Sequence, residues 1–310
     1  MSTAPSSVPP SDPARAALVI ALPAAFVLLW STGFIGARFV LPHAQPLTFL
    51  ALRFALTTAL FLPLIWVGRV RGPATPALVG HAAVAGLLLQ GVYLGGVFSA
   101  IGAGMPAGIA ALIVGLQPLL TAVAAGPLLG ERVNARQWLG LVLGFGGVAM
   151  VLSDKLAPST STVFEGFGVG ALLATGLALV GITLGTLYQK RFCGGLDPRT
   201  GAAVQFLAAA VAMAGLALLV GEDMTIDWTA EFVFGLAWLV VVLSVGAVTL
   251  LLVLIRMGEA ARVASLFYLV PPVTALLAWV LFDETLGPLA LAGMGVVAFG
   301  VVLVMRSGRP

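Results

Sequence analysis

Between residues 17 and 305 the chain is a succession of apolar stretches broken by short polar turns. Each runs for roughly 18–22 residues, long enough as a helix to cross about 30 Å of hydrocarbon. They cover residues 17–37, 46–68, 78–99, 105–127, 136–153, 167–188, 201–221, 232–255, 263–282 and 288–305. The breaks hold charged and helix-stopping residues, such as Leu41-Pro42-His43, Arg71-Gly72-Pro73, Gly130-Glu131-Arg132, Asp197-Pro198-Arg199, and Glu222-Asp223 with Asp227. Hydrophobic residues make up 60% of the chain and charged ones 9%, with a mean hydropathy of +1.12. Too few polar side chains remain to cover a soluble fold, which excludes a cytosolic enzyme, a disordered chain and a nucleic-acid binder. The single cysteine, Cys193, excludes an internal disulfide, and two histidines, His43 and His81, leave little for a metal centre, so no metal or cofactor is expected.

Orientation follows from the basic residues. With the N-terminus in the cytoplasm and the spans alternating, Arg15, Arg69, Arg71, Arg132, Arg136, Lys190, Arg191, Arg199, Arg256, Arg262, Arg306 and Arg309 all face the cytoplasm. Only Arg38 and Lys155 face outward, and Arg53 lies within the second span. Adding or losing one span would scramble that bias. Residues 1–15, rich in Ser, Pro and Ala, read as a disordered cytoplasmic tail, and the first span as a retained helix instead of a cleaved signal.

A shift of 153 residues lays Pro118–Leu152 over Pro271–Met305 without a gap, with ten identities in 35 positions. Pro118 meets Pro271, Thr121 meets Thr274, Glu131 meets Glu284, Gly140 meets Gly293 and Gly147 meets Gly300. Five spans separate the copies, and an odd number turns the second upside down. The expectation is an all-α membrane protein with ten transmembrane helices in two inverted five-helix repeats, residues 16–155 and 163–305.

Each half ends in a Pro…(Gly/Asp)-Glu…Gly pattern, and in this it resembles the EamA branch of the drug/metabolite transporter superfamily. The segments Trp30-Ser31-Thr32-Gly33-Phe34 and Pro46-Leu47-Thr48-Phe49-Leu50-Ala51-Leu52-Arg53-Phe54 resemble that family's first two helices. The resemblance covers about residues 17–305. It implies a carrier of small metabolites with a central cavity lined mainly by helices 1, 3, 4, 6, 8 and 9.

Charge at mid-membrane is costly and usually functional. No Asp, Glu or Lys lies near the middle of a span; Glu131, Glu259, Asp283 and Glu284 sit at span ends. That disfavours a carrier of quaternary-ammonium drugs, which needs a buried carboxylate, and a proton antiporter built on one. A carrier of sugar phosphates would need several basic groups, and only Arg53 is available. A small neutral or zwitterionic solute remains. Arg53 has two readings: a side chain snorkelling to headgroups or tying down the loop of Arg38 and His43, and a receptor for a substrate carboxylate. His81 reads as interfacial.

The candidate substrate-binding residues are the polar and aromatic groups inside spans. Trp30 and Phe34 share a helix face, Gln90 and Tyr93 lie three apart, and Gln117 precedes Pro118. Thr183 and Tyr188 follow in helix 6, Trp238 and Ser244 in helix 8, and Tyr268 beside Phe267 in helix 9. Such a set stacks an apolar solute and offers it hydrogen bonds. Trp66, Trp138 and Trp228, at span ends, belong to the interfacial belts. Pro118 and the pair Pro271-Pro272 each free a backbone carbonyl and read as matched kinks for conformational change. Glycines in helix 5 (Gly140, Gly144, Gly147) and helix 10 (Gly293, Gly300) signal close helix contact, within the chain or in a homodimer.

The function expected is a secondary transporter, an exporter of small metabolites such as amino acids, in a bacterial inner membrane with both termini cytoplasmic. Its partners are a small-molecule substrate and the lipid bilayer. A lipid flippase of the same fold is the alternative. A membrane-embedded enzyme would need a nucleophile–base or metal motif, and the chain has no His-Glu-x-x-His and no Gly-x-Ser-x-Gly.

Overall fold

The computed structural model describes residues 13–70, 72, 75–105, 107–156, 168–257, 260–282 and 287–306. Among these the fold is helical, with one isolated antiparallel bridge, Ala44 to Ile226. The helices are α1 (Pro13–Val40), α2 (Pro46–Val67), α3 (Pro76–Gly102), α4 (Ala107–Val114 continuing as Gln117–Leu129) and α5 (Ala135–Leu156). They continue as α6 (Val169–Phe192), α7 (Pro198–Val220), α8 (Ala230–Met257), α9 (Ala260–Ser265 running on to Val270–Phe282) and α10 (Pro288–Arg306). Eight segments are long and apolar enough to cross a membrane; the described apolar parts of α1 and α9, Ala21–Gly33 and Ala261–Leu277, are shorter. Of the expected tail, residues 1–12 lie outside the described residues, as do Glu259, Asp283 and Glu284. Residues 13–15 are corrected to helix, since α1 begins at Pro13.

Local chemistry sets the ends. Proline opens α2, α3, α7 and α10, where its missing N–H costs nothing. Asp197 and Thr229 cap α7 and α8 by accepting from Arg199 N (2.9 Å) and Phe232 N (3.1 Å). Gly221 closes α7 in the left-handed region at φ 78°, a conformation that favours glycine. The turn delivers Glu222 to the start of α2, where its carboxylate accepts from Leu47 N (3.0 Å), Thr48 N (2.7 Å) and the Thr48 hydroxyl (2.7 Å).

α5 lies along α10, α2 along α7, α3 along α6 and α1 along α8. Replacing each helix by the one five places away leaves this set unchanged. The α5–α10 seam has the same symmetry at residue level. A Cβ on Gly140 would lie 2.5 Å from the Gly300 carbonyl oxygen, and one on Gly147 would lie 2.8 Å from that of Gly293. Gly140 is the repeat mate of Gly293, and Gly147 of Gly300, so each glycine touches the mate of the other. Two helices that cross in this way run antiparallel about a local twofold axis. The glycine series is therefore spent within the chain.

A second register, with a shift of 152, pairs Pro46 with Pro198, Thr48 with Thr200, Ala51 with Ala203 and Phe54 with Phe206. The Phe54 and Phe206 rings touch at 5.7 Å, so these mates meet on the same axis. Both α3 and α8 contain a π-helical segment, at Leu87–Val92 and Leu239–Ala247, again at matched positions.

The loops gather at two ends. At one, Lys190 pairs with Glu131 at 2.6 Å, Arg256 donates to the Cys193 carbonyl and Arg199 lies beside Gly68. At the other, His43 Nδ1 lies 3.2 Å from Asp227, near Glu231 and the Glu222 cap. Among the described residues the basic turns share the first end and the acidic ones the second, apart from Glu131 and Asp197 at the first and from Arg38 and Lys155 at helix ends of the second.

Replacing Gly147 by valine is expected to force α5 and α10 apart and to cost about 1–3 kcal/mol. The thermal midpoint of the purified protein should fall by several degrees, whereas Gly295→Ala, with open space around its Cβ position, should leave it unchanged.

Candidate functional site

Two small, partly open cavities of about 50 Å³ each adjoin between the halves and share the walls Trp30, Tyr93 and Val97. The first extends toward Gln117 on α4 and Phe267, Tyr268 and Pro271 on α9, with Ile182 from α6 and Val148 from α5. The second extends toward Arg53 on α2 and Leu239, Leu243 and Val248 on α8. Together they form a largely apolar chamber with few polar groups, the composition of a small-molecule site.

Trp30 anchors an aromatic cluster. Its ring lies 5.2 Å from Phe26 and 5.3 Å from Phe267, the latter edge-on. Tyr93 shares the walls of both cavities with it. Gln117 begins the second part of α4, after the break at Gly115 and Leu116. Its amide donates to Thr121 Oγ1 at 3.1 Å, leaving Oε1 buried without a partner. The Tyr268 hydroxyl is likewise buried and unpartnered. Unsatisfied polar atoms in an apolar interior cost free energy, so two on one cavity wall mark a place where a ligand or water bonds.

Arg53 is 2% exposed, and its Nε donates to Ser244 Oγ at 3.1 Å. Ser244 in turn donates to the Leu239 carbonyl at 3.0 Å, five residues back in the π-helical segment. The Arg53 head thus meets the middle of α8 at Ser244 instead of the loop of Arg38 and His43.

Of the other sequence candidates, the structure brings Trp30, Tyr93, Gln117 and Tyr268 together, with Ser244 behind Arg53. Gln90 is buried in the π-helical part of α3 and does not line the chamber. The Thr183 hydroxyl bonds back to the Leu179 carbonyl at 2.7 Å. Tyr188 lies off the chamber, bonded to His81 at 2.7 Å near the basic end. Trp238 lies on the outer surface and donates to Thr32 Oγ1 at 2.9 Å. The Phe34 side chain lies outside the described residues. Pro118 and Pro271-Pro272 stand where α4 and α9 resume regular helix, the latter after a 3-10 turn at Leu266–Leu269. The depth of Arg53 and the place of Val97 were missed. At a shift of 152 Arg53 meets Gln205, one of many differences between α2 and α7, so the sequence carried no specific signal for the first.

The model of the EamA-like transporter family matches residues 16–153 and again residues 167–306. The chain belongs to the EamA-like transporter family. It is a multi-pass membrane transporter of the drug/metabolite transporter superfamily, built from two EamA repeats. An uncharacterized transporter, YvbV, of Bacillus subtilis (strain 168) is 28% identical over 296 residues, covering 95% of this chain and 93% of its own. The uncharacterized inner membrane transporter YedA of Escherichia coli (strain K12) is 28% identical over 281 residues, 90% of this chain and 88% of its own. A probable amino-acid metabolite efflux pump of the same strain is 27% identical over 290 residues, 89% and 91% of the two chains. A solved crystal structure shares the EamA chain's fold with a TM-score of 0.74 at 22% identity, covering 92% of this chain and 95% of that one.

Burial pushes the Cys193 thiol up to about 11, and the Arg256 charge offsets part of the shift. Raised above the ordinary thiol value, the group is protonated at pH 8, with about a thousandth of it as thiolate. Maleimide labelling of the native EamA chain is expected to be slow at pH 8 and to rise as pH approaches that value. A cysteine at Val97, on both cavity walls, should then label about tenfold faster than one at Thr183, which faces protein.

Proposed function

We propose that this transporter exports small metabolites of the amino-acid class across a bacterial inner membrane, by alternating access around the chamber. Its ten spans form two halves inverted in the membrane, with both termini and the basic end in the cytoplasm. The observation that carries the reading is the chamber itself: an aromatic, apolar enclosure between the halves with unpartnered hydrogen-bonding groups at Gln117 and Tyr268. The kinship with a probable amino-acid metabolite efflux pump supports the substrate class and the outward direction. The mirrored glycine crossing of α5 and α10 supports the inversion, because halves related by such an axis exchange conformations when access switches. Pro118 and Pro271-Pro272 would bend α4 and α9 in that exchange.

A flippase needs a polar path along lipid. The groove between α2 and α7, about 610 Å³, is lined by apolar side chains and by Thr48 and Thr58, whose hydroxyls are already bonded to Glu222 and to the Phe54 carbonyl. The groove's side chains offer a headgroup no free ligand, and the chamber with its unpartnered groups remains the better route.

Proteoliposomes loaded with a panel of labelled amino acids, with and without a pH gradient, test the reading. At least one labelled amino acid is expected to leave faster than from empty-bilayer controls. Trp30→Ala, Tyr93→Ala and Gln117→Leu should each slow that flux about tenfold, as expected for the loss of one or two good contacts. Unchanged flux in all three variants would rule the chamber out. Reporters fused at the His43 turn and at the C-terminus should read external and cytoplasmic respectively; a periplasmic C-terminus would overturn the topology.

A further inference from the structure

Arg53 is the one buried cation on the chamber wall, and its surroundings do not settle its charge. It stands seven residues beyond Pro46, about 10 Å into α2 at the helical rise. Its Nε bonds to Ser244, fourteen residues into the 28-residue α8, so the guanidinium head lies at the middle of that helix. Its other N–H groups meet no acceptor among the described residues, and no carboxylate there pairs with it. A charge at this depth is costly, and such groups in membrane proteins pair with one another, with backbone carbonyls or with what passes through. Here the space in front of the guanidinium is the chamber.

Ser244 explains how the head is held. Its hydroxyl gives its proton to the Leu239 carbonyl and accepts from Arg53 Nε, so it clamps one edge of the guanidinium. The π-helical segment creates this arrangement, since Ser244 and Leu239 are five residues apart. The outer N–H groups are left to form the two-pronged donor that fits a carboxylate. No second Lys or Arg lines either cavity, which weighs against a phosphate.

We infer that Arg53 is the receptor for a substrate carboxylate, positioned by Ser244, and that the transporter selects monocarboxylates with an apolar body. The body lies along Trp30, Tyr93 and Val97, and the far end meets Gln117 Oε1 and the Tyr268 hydroxyl, which suit an N–H or O–H donor. The inference rests on the chamber being the transport site and names what it recognises.

The test uses the purified full-length protein and four probes: phenylalanine, 3-phenylpropionate and their amides, phenylalaninamide and 3-phenylpropionamide. Thermal stabilisation reports binding, and competition against amino-acid efflux from proteoliposomes reports use of the same site. At least one acid is expected to stabilise the wild-type chain and compete, at concentrations where its amide does neither. Arg53→Gln should weaken the acid about 10- to 100-fold, the usual value of a charge-assisted pair, and Arg53→Lys should recover part of it. Ser244→Ala should weaken the acid less than Arg53→Gln and leave the amides unchanged. Equal response of the wild type to acids and amides, response to neither acid, or an acid preference surviving in Arg53→Gln would overturn the inference. If Arg53→Gln does not fold, the wild-type acid–amide comparison decides. Efflux that is blind to the carboxylate and to Arg53 would sink this inference and leave the carrier standing. Arg53-dependent binding of acids without any flux would do the reverse.

Discussion

Lipid offers no hydrogen bonds, so every polar group in the hydrocarbon must find its partner inside the protein. Helices satisfy the backbone. Side chains within spans meet the same demand locally: Thr57, Thr58, Thr175, Thr183 and Thr186 each bond to the carbonyl four residues back. Gln189 and Gln205 bond to one another across α6 and α7 at 2.9 Å. Against that background of local satisfaction, the unsettled groups carry information. Gln205 Oε1 and the Thr200 and Thr249 hydroxyls are also buried without a partner and lie off the chamber, but Gln117 Oε1, the Tyr268 hydroxyl and the outer N–H groups of Arg53 fall on its walls. In a chain this apolar, a cluster of unmet hydrogen-bonding capacity is the clearest mark of a binding site that side-chain chemistry can leave.

Duplication supplies the scaffold, and divergence makes the site. α2 and α7 begin with the same proline and meet at the mated rings of Phe54 and Phe206, yet one residue earlier the first carries Arg53 and the second Gln205. Gln205 donates to Gln189 and leaves its own Oε1 buried without a partner, away from the chamber, while Arg53 donates to Ser244 and lines the chamber. The repeats share the architecture that needs symmetry: the glycine crossing, the π-helical segments of α3 and α8 and the broken starts of α4 and α9. They part at the chamber, where Arg53 on α2 stands for Gln205 on α7.

The scaffold was readable from the sequence because its causes are periodic. Apolar runs of spanning length set the helices, and the match of Gly140 with Gly293 and Gly147 with Gly300 announced the seam that the structure closes. The site was readable only in part. Trp30, Tyr93, Gln117 and Tyr268 share a wall, but Tyr188 and Trp238, equally polar and equally placed within spans, serve a helix end and the outer surface. A single sequence gives the depth of a residue along its helix; the direction it faces depends on helix rotation, which uniformly apolar faces do not record. Arg53 was misjudged for the same reason, since its place near the start of α2 suits a headgroup contact until the π-helical segment of α8 is seen to approach it.

The distribution of bond strengths bears on how such a carrier would switch. The ends are tied by contacts at or near water: Lys190 with Glu131, His43 with Asp227, and His81 with Tyr188. The His43–Asp227 and His81–Tyr188 contacts are single hydrogen bonds worth about 0.5–1.5 kcal/mol each, and water replaces them readily when they part, whereas Lys190–Glu131 is a mostly buried ion pair. The α5–α10 seam is different, because backbone meets backbone at Gly140, Gly147, Gly293 and Gly300 with no side chain to yield. Rocking about a rigid central seam while weak ties exchange at either end needs no large barrier. The bending then falls where the helices are already irregular, at the π-helical segments and at the breaks before Pro118 and Pro271. These same irregular stretches hold Ser244, Gln117 and Tyr268, so the residues proposed to meet the solute would be carried by the parts of the fold most able to move with it.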